Sequence, residues 1–386
     1  MKALPVALAV VALASCSGRR AQQPEEPEPP AREAQAAAAP RGASSGEAPR
    51  DEPATFEPVE GEPVQRSRPL MGTIFQATVI GLPEPRAETL IAAAFDEIAR
   101  LEGILSEWQA DSEVSAINER AGEAPVGVGP ETLRVVQAGL EVSRWTDGAF
   151  DLSWAALRGL YLFQPGEERV PHPDEVQARL AHVGWRRIAL DEERRQVRLA
   201  DDEMAIGTGG IAKGYALDRA AGVLRAGGAR SFMLFGGGQV QVYGLRGDRP
   251  WRVGIQHPRD ETRYIGFLEA TRGSISTSGD YEHAFVDDEG THWHHIIDLA
   301  TGLPARRSVQ VTLLAPEGIY ADALSTGCFI LGPERCVAML AELPGPPEAV
   351  IIDPELRVWT TPGTDERVVW RVEREDGRLP GDPAYR

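Results

Sequence analysis

The chain has 386 residues, 42% hydrophobic and 25% charged, which is ordinary globular usage and enough for a sizeable core without a metal or disulfide framework. A formal charge of -18, from 40 Lys and Arg against 58 Asp and Glu, argues against generic nucleic-acid binding, which needs clustered positive side chains. The 3 cysteines are too few for a disulfide scaffold, and no apolar run of about 18 residues follows the first 15, so no transmembrane helix is expected.

The N-terminus reads as an address. Met1-Lys2 is a short basic start, Leu4 to Ala14 is a short apolar stretch, and Ser15-Cys16 follows. Residues 1–15 form a signal peptide too short to span a bilayer. Leu13-Ala14-Ser15-Cys16 resembles the bacterial lipobox, which implies cleavage before Cys16 and a lipidated Cys16. Several acyl chains on one residue make a stable anchor. A plain secretory signal is the alternative. The expected location is the bacterial cell envelope, lipid-anchored at a periplasmic face, and Ser17 leans toward the outer membrane of a Gram-negative cell. Residues 16–65 are rich in Pro, Ala, Glu, Arg and Ser, with Phe56 the one large apolar exception. Such a segment buries too little surface to offset its ordering entropy and is expected to be a disordered tether. The folded body is then 66–386.

Within that body, Thr73 to Leu82 has the composition of a first strand, after a turn-like Pro69-Leu70-Met71-Gly72. Glu88 to Trp108 predicts an amphipathic helix, with Ile91, Ala94, Ile98, Leu101 and Leu105 recurring at three and four. Pro130 to Trp145 and Pro173 to Val183 predict two more helices, and Arg187 to Leu199 a hairpin. A glycine-rich turn at Gly207-Thr208-Gly209-Gly210 leads into a helix from about Ile211 to Arg225. Ser231 to Phe235 is a strand running into Gly236-Gly237-Gly238, and several strands follow to about Ile297. Tyr320 to Leu331 is a helix stopped by Gly332-Pro333, where a second short helix begins. Val350 to Asp353 and Arg367 to Val372 finish as strands. Interspersed helices and closely spaced strand pairs predict an α+β fold with antiparallel or mixed sheets.

Four stretches could carry chemistry. The glycine turn fits neither the Walker pattern nor GxGxxG, because Ala212 stands where each needs glycine. What survives is a strand, a glycine turn and a helix N-terminus whose free N–H groups suit a phosphate, or else a mere tight turn. Asp322 and Thr326 are four apart on a predicted helix and share one face. A carboxylate and a hydroxyl are ligand types for Mg²⁺ or Ca²⁺, the alternative being a solvated Asp and a Thr bonded back to its own helix. Four of the 7 histidines fall between His283 and His295, yet nothing completes a zinc set, and the preferred reading makes His295 a general base. Thr277-Ser278-Gly279-Asp280-Tyr281 is a polar pocket lining or an ordinary turn. Cys328 and Cys336 read as core thiols, or as a disulfide in an oxidising compartment.

In order and spacing, these stretches resemble the ApbE family, the FAD:protein FMN transferases. The matching runs are Met71-Gly72-Thr73, Leu105 to Trp108, Asp111 to Asn118, Gly148 to Asp151, Gly209 to Tyr215, Gly236 to Gly238, Thr277 to Tyr281, His295 to Asp298, Thr301-Gly302 and Ala321 to Thr326. The resemblance implies a two-lobed fold with mixed or antiparallel sheets flanked by helices, and an FAD cleft between the lobes. It implies transfer of FMN from FAD to a Ser or Thr hydroxyl of a partner protein, giving a phosphoester-linked FMN and AMP. FAD hydrolysis to FMN and AMP, or a non-catalytic flavin carrier, are the other readings. By that likeness Asp322, Thr326 and the carbonyl of Gly210 hold Mg²⁺, with Ca²⁺ or Mn²⁺ as substitutes. Met71, Trp108, Ala149, Phe150, Asp151, Lys213 and Ile296 match positions lining the FAD site. His295 is the candidate base and Asp280 the second candidate. The implied acceptor is a flavoprotein subunit with an Asp-Gly-x-Ser/Thr-Gly/Ala-Thr segment. Two positions depart from the family: Gly207 stands where it usually reads Asp, and Ser325 where some members carry a second Asp.

Overall fold

A computed structural model describes residues 55–381. The segments expected as signal peptide and tether, with Cys16, lie outside the described residues through residue 54.

The framework is one eight-stranded sheet. Its strands are β1 (Val64–Leu70), β2 (Thr73–Ile80), β3 (Ser231–Gly236), β4 (Gln239–Tyr243), β5 (Arg272–Gly279), β6 (Gln310–Ala315), β7 (Glu348–Ile352) and β8 (Val358–Thr360). Their order across the sheet repeats their order in the chain, and each neighbouring pair is antiparallel. The α+β expectation holds, with antiparallel pairing throughout the described strands.

Side-chain alternation gives the sheet two buried faces. Phe75, Ala77, Val79, Phe232, Leu234, Val311, Leu313 and Ile351 point into a core shared with the helices. Those helices are α1 (Glu84–Leu105), α2 (Pro130–Trp145), α3 (Ala212–Ala226), α4 (Gly318–Leu331) and α5 (Pro333–Ala341). Ile80, Val240, Val242, Ile275, Leu314, Val350 and Ile352 point the other way, against Trp251, Ile255, Ile265 and Leu268 of a three-stranded sheet. That is why β6 reads Gln-Val-Thr-Leu-Leu-Ala without a solvent face: all six residues are buried. Cys328 at the end of α4 and Cys336 in α5 form a disulfide.

The helices agree with the periodicity to within a few residues. Several elements were not expected, among them strands β6 and β8 and the three that follow. β1 alternates mostly polar residues and carries Pro69, the composition of an edge strand. Glu113–Glu119 is a two-turn helix capped by Ser112, and Leu152–Leu157 is a 3-10 helix capped by Asp151. The boundary at 66 also moves. β1 begins at Val64, the Phe56 ring stands edge-on to Tyr243 at 5.1 Å, and Val59 N–H bonds the Gly247 carbonyl at 3.0 Å. The Phe56 ring, the Val59 bond and a Glu57–Arg230 ion pair together seat the end of this polar segment on the body.

Two hairpin tips define the working end of the sheet. Met71 and Gly72 join β1 to β2, and Gly237 and Gly238 join β3 to β4. All four have positive φ, the signature of two-residue turns that match strand twist. Because Phe75 pairs with Gly236, the tips lie side by side.

Candidate active site

The site is built where α3 crosses α4. A Cβ on Gly214 would run into the Gly318 carbonyl and stand 2.8 Å from the Asp322 Cβ, so only glycine permits this approach. Neither helix has a side-chain cap of its own. Each supplies the other's instead. Asp322 accepts from Gly214 N–H at 3.0 Å, and Asp218 accepts from Gly318 and Ile319 N–H at 2.7 and 2.9 Å. The same Gly-x-x-x-Asp spacing serves both helices, a carboxyl group at each N-terminus.

The crossing buries Asp322 to 6% exposure, and among the described residues no Lys, Arg or His pairs with it. Thr326, one turn on, is half-buried, and its Oγ1 lies 3.5 Å from Ser278 Oγ. A Cβ on Gly210 would meet Thr326 Oγ1 at 3.7 Å and the Phe150 ring at 3.3 Å, so the glycine turn faces Thr326. Ser325 has other work. Its hydroxyl bonds Ser276 and Ser278 of β5 at 2.9 Å each and the Asp322 carbonyl at 2.8 Å, tying α4 to the sheet. The oxygens of Asp322, Thr326 and Gly210 are the hard donors that a divalent cation prefers, and the buried, unpaired carboxylate fits one.

Of its two readings, the glycine turn follows that of a tight, internally bonded turn. Ile206 is held through both backbone groups by Asn118, and Gly207 N–H bonds the Leu152 carbonyl. Thr208 N–H donates to Glu107 Oε2 at 2.6 Å, and Ile211 and Ala212 N–H both bond the Thr208 carbonyl. Those donors are used internally, so they do not form the open phosphate cradle that the sequence suggests. Positive charge comes instead from Lys213, whose Nζ donates to the Gly209 carbonyl at 2.7 Å. A Cβ on Gly237 would meet Lys213 Cδ and Thr73 Cγ2 at 3.2 Å, so the hairpin tips and Lys213 meet here.

The remaining candidates frame this centre. Met71 stands at a hairpin tip with φ 47°, partly buried. Asp151 is buried, and its oxygens are spent on Ser153 N–H and hydroxyl (2.8 and 2.7 Å) and Trp185 N–H (2.7 Å). Burial raises its pKa while those bonds oppose the rise. Its role is to fix the loop that carries Ala149 and Phe150. Trp108 is 75% exposed, with the Arg158 guanidinium 4.8 Å from its ring centroid. That leaves an open aromatic face able to stack on a flat ring.

The two base candidates separate. Asp280 is buried, and both oxygens are gripped by Arg259 at 2.7 and 2.8 Å. A carboxylate so engaged is a structural anchor for the loop after β5, which corrects its reading as a base. His295 is solvent-exposed, with Nδ1 2.9 Å from the Glu282 carbonyl. A carbonyl only accepts, so Nδ1 carries the proton and Nε2 presents a lone pair. Crowding by surrounding protein, then the His283 ring beside it, lower the pKa of His295, and Lys213 adds to the effect. Lowered from its ordinary value, the imidazole is neutral at pH 7. Ile296, next to it, is buried. His292 and His294 are likewise lowered to about 4, burial being the first cause. Among the described residues no group of three His, Cys, Asp or Glu side chains is arranged to hold a metal.

Sequence reasoning missed Glu107, Arg158, Asp218 and Ser276, while Ser278 lay in the Thr277–Tyr281 stretch already singled out. Of those missed, only Glu107 had a local signal, since it sits beside Trp108 in a motif run.

An antiparallel α+β body with polar side chains gathered at one sheet end, beside two reciprocally capped helices, defines a recognisable class. The chain belongs to the ApbE family, whose model matches residues 71–351. It is 33% identical over 323 residues to the FAD:protein FMN transferase of Treponema pallidum, covering 78% of this chain and 88% of that one. The crystal structure of the ApbE protein from Thermotoga maritima superposes with a TM-score of 0.72 at 29% identity, covering 79% of this chain and 99% of that one. The flavin transferase ApbE from Vibrio cholerae gives 0.72 at 28%, covering 80% and 100%.

Proposed function

We propose that this chain transfers the FMN half of FAD to a Ser or Thr hydroxyl of a partner protein and releases AMP. A divalent cation, Mg²⁺ in the first place, would be held by Asp322, Thr326 and the Gly210 carbonyl. The observation that carries this reading is the Asp322 carboxylate, 6% exposed and, among the described residues, without a cationic side-chain partner. A buried charge is paired or coordinates a metal. Bound there, the ion would neutralise charge on the pyrophosphate and the departing AMP.

The chain's own residues do the rest. Lys213 adds a fixed positive charge at the hairpin tips, where a polyanion would lie. Trp108 offers a stacking face steadied by Arg158. His295 Nε2 takes the proton of the acceptor hydroxyl. The acceptor oxygen then bonds the FMN phosphorus while the bond from that phosphorus to the AMP oxygen breaks. Phosphoryl transfer asks chiefly for such positioning and charge stabilisation.

The acceptor is a flavoprotein subunit with an Asp-Gly-x-Ser/Thr-Gly/Ala-Thr segment, and the site of action is the cell envelope, with Cys16 as a lipid anchor. The Cys328–Cys336 disulfide agrees with an oxidising compartment.

The test uses the full chain with FAD, Mg²⁺ and an acceptor domain bearing that segment, following acceptor mass and AMP. One FMN should be added, and EDTA should abolish the gain. Asp322→Ala should slow it by at least about 100-fold, beyond the usual cost of losing an outer-shell partner. AMP release without a mass gain would replace transfer by hydrolysis. Bound FAD with neither product would leave a carrier.

A further inference from the structure

We infer that Glu107 positions the glycine turn, and through it both the Gly210 carbonyl and the Lys213 ammonium, in the place a side chain at residue 207 would otherwise fill. What the turn binds follows the flavin-transfer reading above; what holds the turn is independent of it.

Gly207 does not lie in the left-handed backbone region, so its conformation alone does not call for glycine. Space does. A Cβ there would stand 2.6 Å from Glu107 Oε2 and 2.8 Å from two atoms of the Trp154 ring. The carboxylate that occupies this volume comes from the loop after α1, a hundred residues away in sequence.

Glu107 is enclosed, its side chain 5% exposed. Oε2 accepts from Thr208 N–H at 2.6 Å, and Gly209 N–H also acts on the carboxylate. Oε1 lies 3.2 Å from Arg158 Nη2. Thr208 is fastened a second time, through its hydroxyl to the Leu105 carbonyl at 2.7 Å. The next two peptide units carry the working groups. The Gly209 carbonyl holds Lys213 Nζ at 2.7 Å, and Gly210 faces Thr326. The Thr208 and Gly209 amides share planar units with the Gly207 and Thr208 carbonyls, so holding them fixes the stretch of turn that leads directly into the Gly209 and Gly210 carbonyls.

A purely structural carboxylate predicts something else. A buried ion pair contributes little net stability, and its neutral isostere is often as stable. Stability and ligand affinity should therefore separate.

The experiment compares the wild-type full chain with Glu107→Gln and Glu107→Ala. Mn²⁺ serves as the metal probe, read by the electron paramagnetic resonance of the free ion. FAD binding is read by flavin fluorescence, amide hydrogen exchange follows Thr208 and Gly209 without ligand, and thermal melts report stability. Glu107→Ala should lose protection at both amides and weaken Mn²⁺ and FAD binding by about 10- to 100-fold, as outer-shell losses do. Glu107→Gln keeps an acceptor oxygen and should recover protection and most of the affinity. A lowered melting temperature in Glu107→Ala with wild-type affinity for Mn²⁺ and FAD would overturn the assignment. Should that variant not fold, Glu107→Asp replaces it: weaker Mn²⁺ binding with lost amide protection supports the role, and wild-type Mn²⁺ affinity refutes it. If the wild type binds no FAD, the flavin reading fails, while Mn²⁺ and amide exchange still decide the role of Glu107.

Discussion

Asp218 shows how one side chain can serve as an anchor and also respond to pH. It is partly exposed, yet its carboxyl lies in the crossing of α3 and α4, and desolvation pushes its pKa up to about 7. The Gly318 and Ile319 N–H groups oppose the rise, Glu317 adds to it, and Arg134 opposes it. An unfolded Asp titrates near 3.8. Between these values the folded chain binds the extra proton, so this residue's contribution to stability is present at low pH and lost as pH rises toward about 7. Asp218→Asn should flatten that part of the profile, read from denaturant midpoints at pH 5, 6 and 7. A slope unchanged from wild type would show that Asp218 titrates normally.

Between α3 and α4 the decisive feature is an absence of side chain. Gly214→Ala should destabilise by about 3 kcal/mol, at the upper end of overpacking costs, because its neighbour is backbone that cannot rotate away. Urea unfolding measures this, and a change below 1 kcal/mol would mean that the helices slide apart cheaply. The helices themselves were legible because their apolar spacing is regular over 14 to 22 residues. The pairing of Asp322 with Thr326 was legible for the same reason, since it needs only the helical repeat. Glu113–Glu119 and Leu152–Leu157 are too short to show a period, and capping by Ser112 and Asp151 does for them what length does elsewhere. Asp280 misled because its neighbours in sequence look like a pocket wall, while its true partner, Arg259, sits 21 residues earlier on another hairpin.

For the whole molecule, the α+β class followed from the mix of elements, but contacts across long separations did not. The bond from Thr208 to Glu107 spans 101 residues, and that from Gly214 to Asp322 spans 108. No local pattern encodes either one. The start of the body is a similar case, and it can be tested. A chain beginning at residue 66 loses the Phe56 contact with Tyr243, the Val59 bond and the first two residues of β1. Its stability should fall by about 2 kcal/mol relative to a chain beginning at residue 51, the scale of one large apolar side chain. Equal melting temperatures would place the true boundary at 66.

The strand order has a kinetic consequence. Neighbours in the sheet are neighbours in sequence, but β2 ends at Ile80 and β3 starts at Ser231, with α1, α2 and the glycine turn between them. Closing so long a loop costs about 0.6 kcal/mol more for each doubling of its length, so this pairing should form late. It is also the pairing that sets the Met71–Gly72 tip beside the Gly237–Gly238 tip. A newly made chain would therefore carry every catalytic part before it has a catalytic site, and activity should appear with the slowest refolding phase.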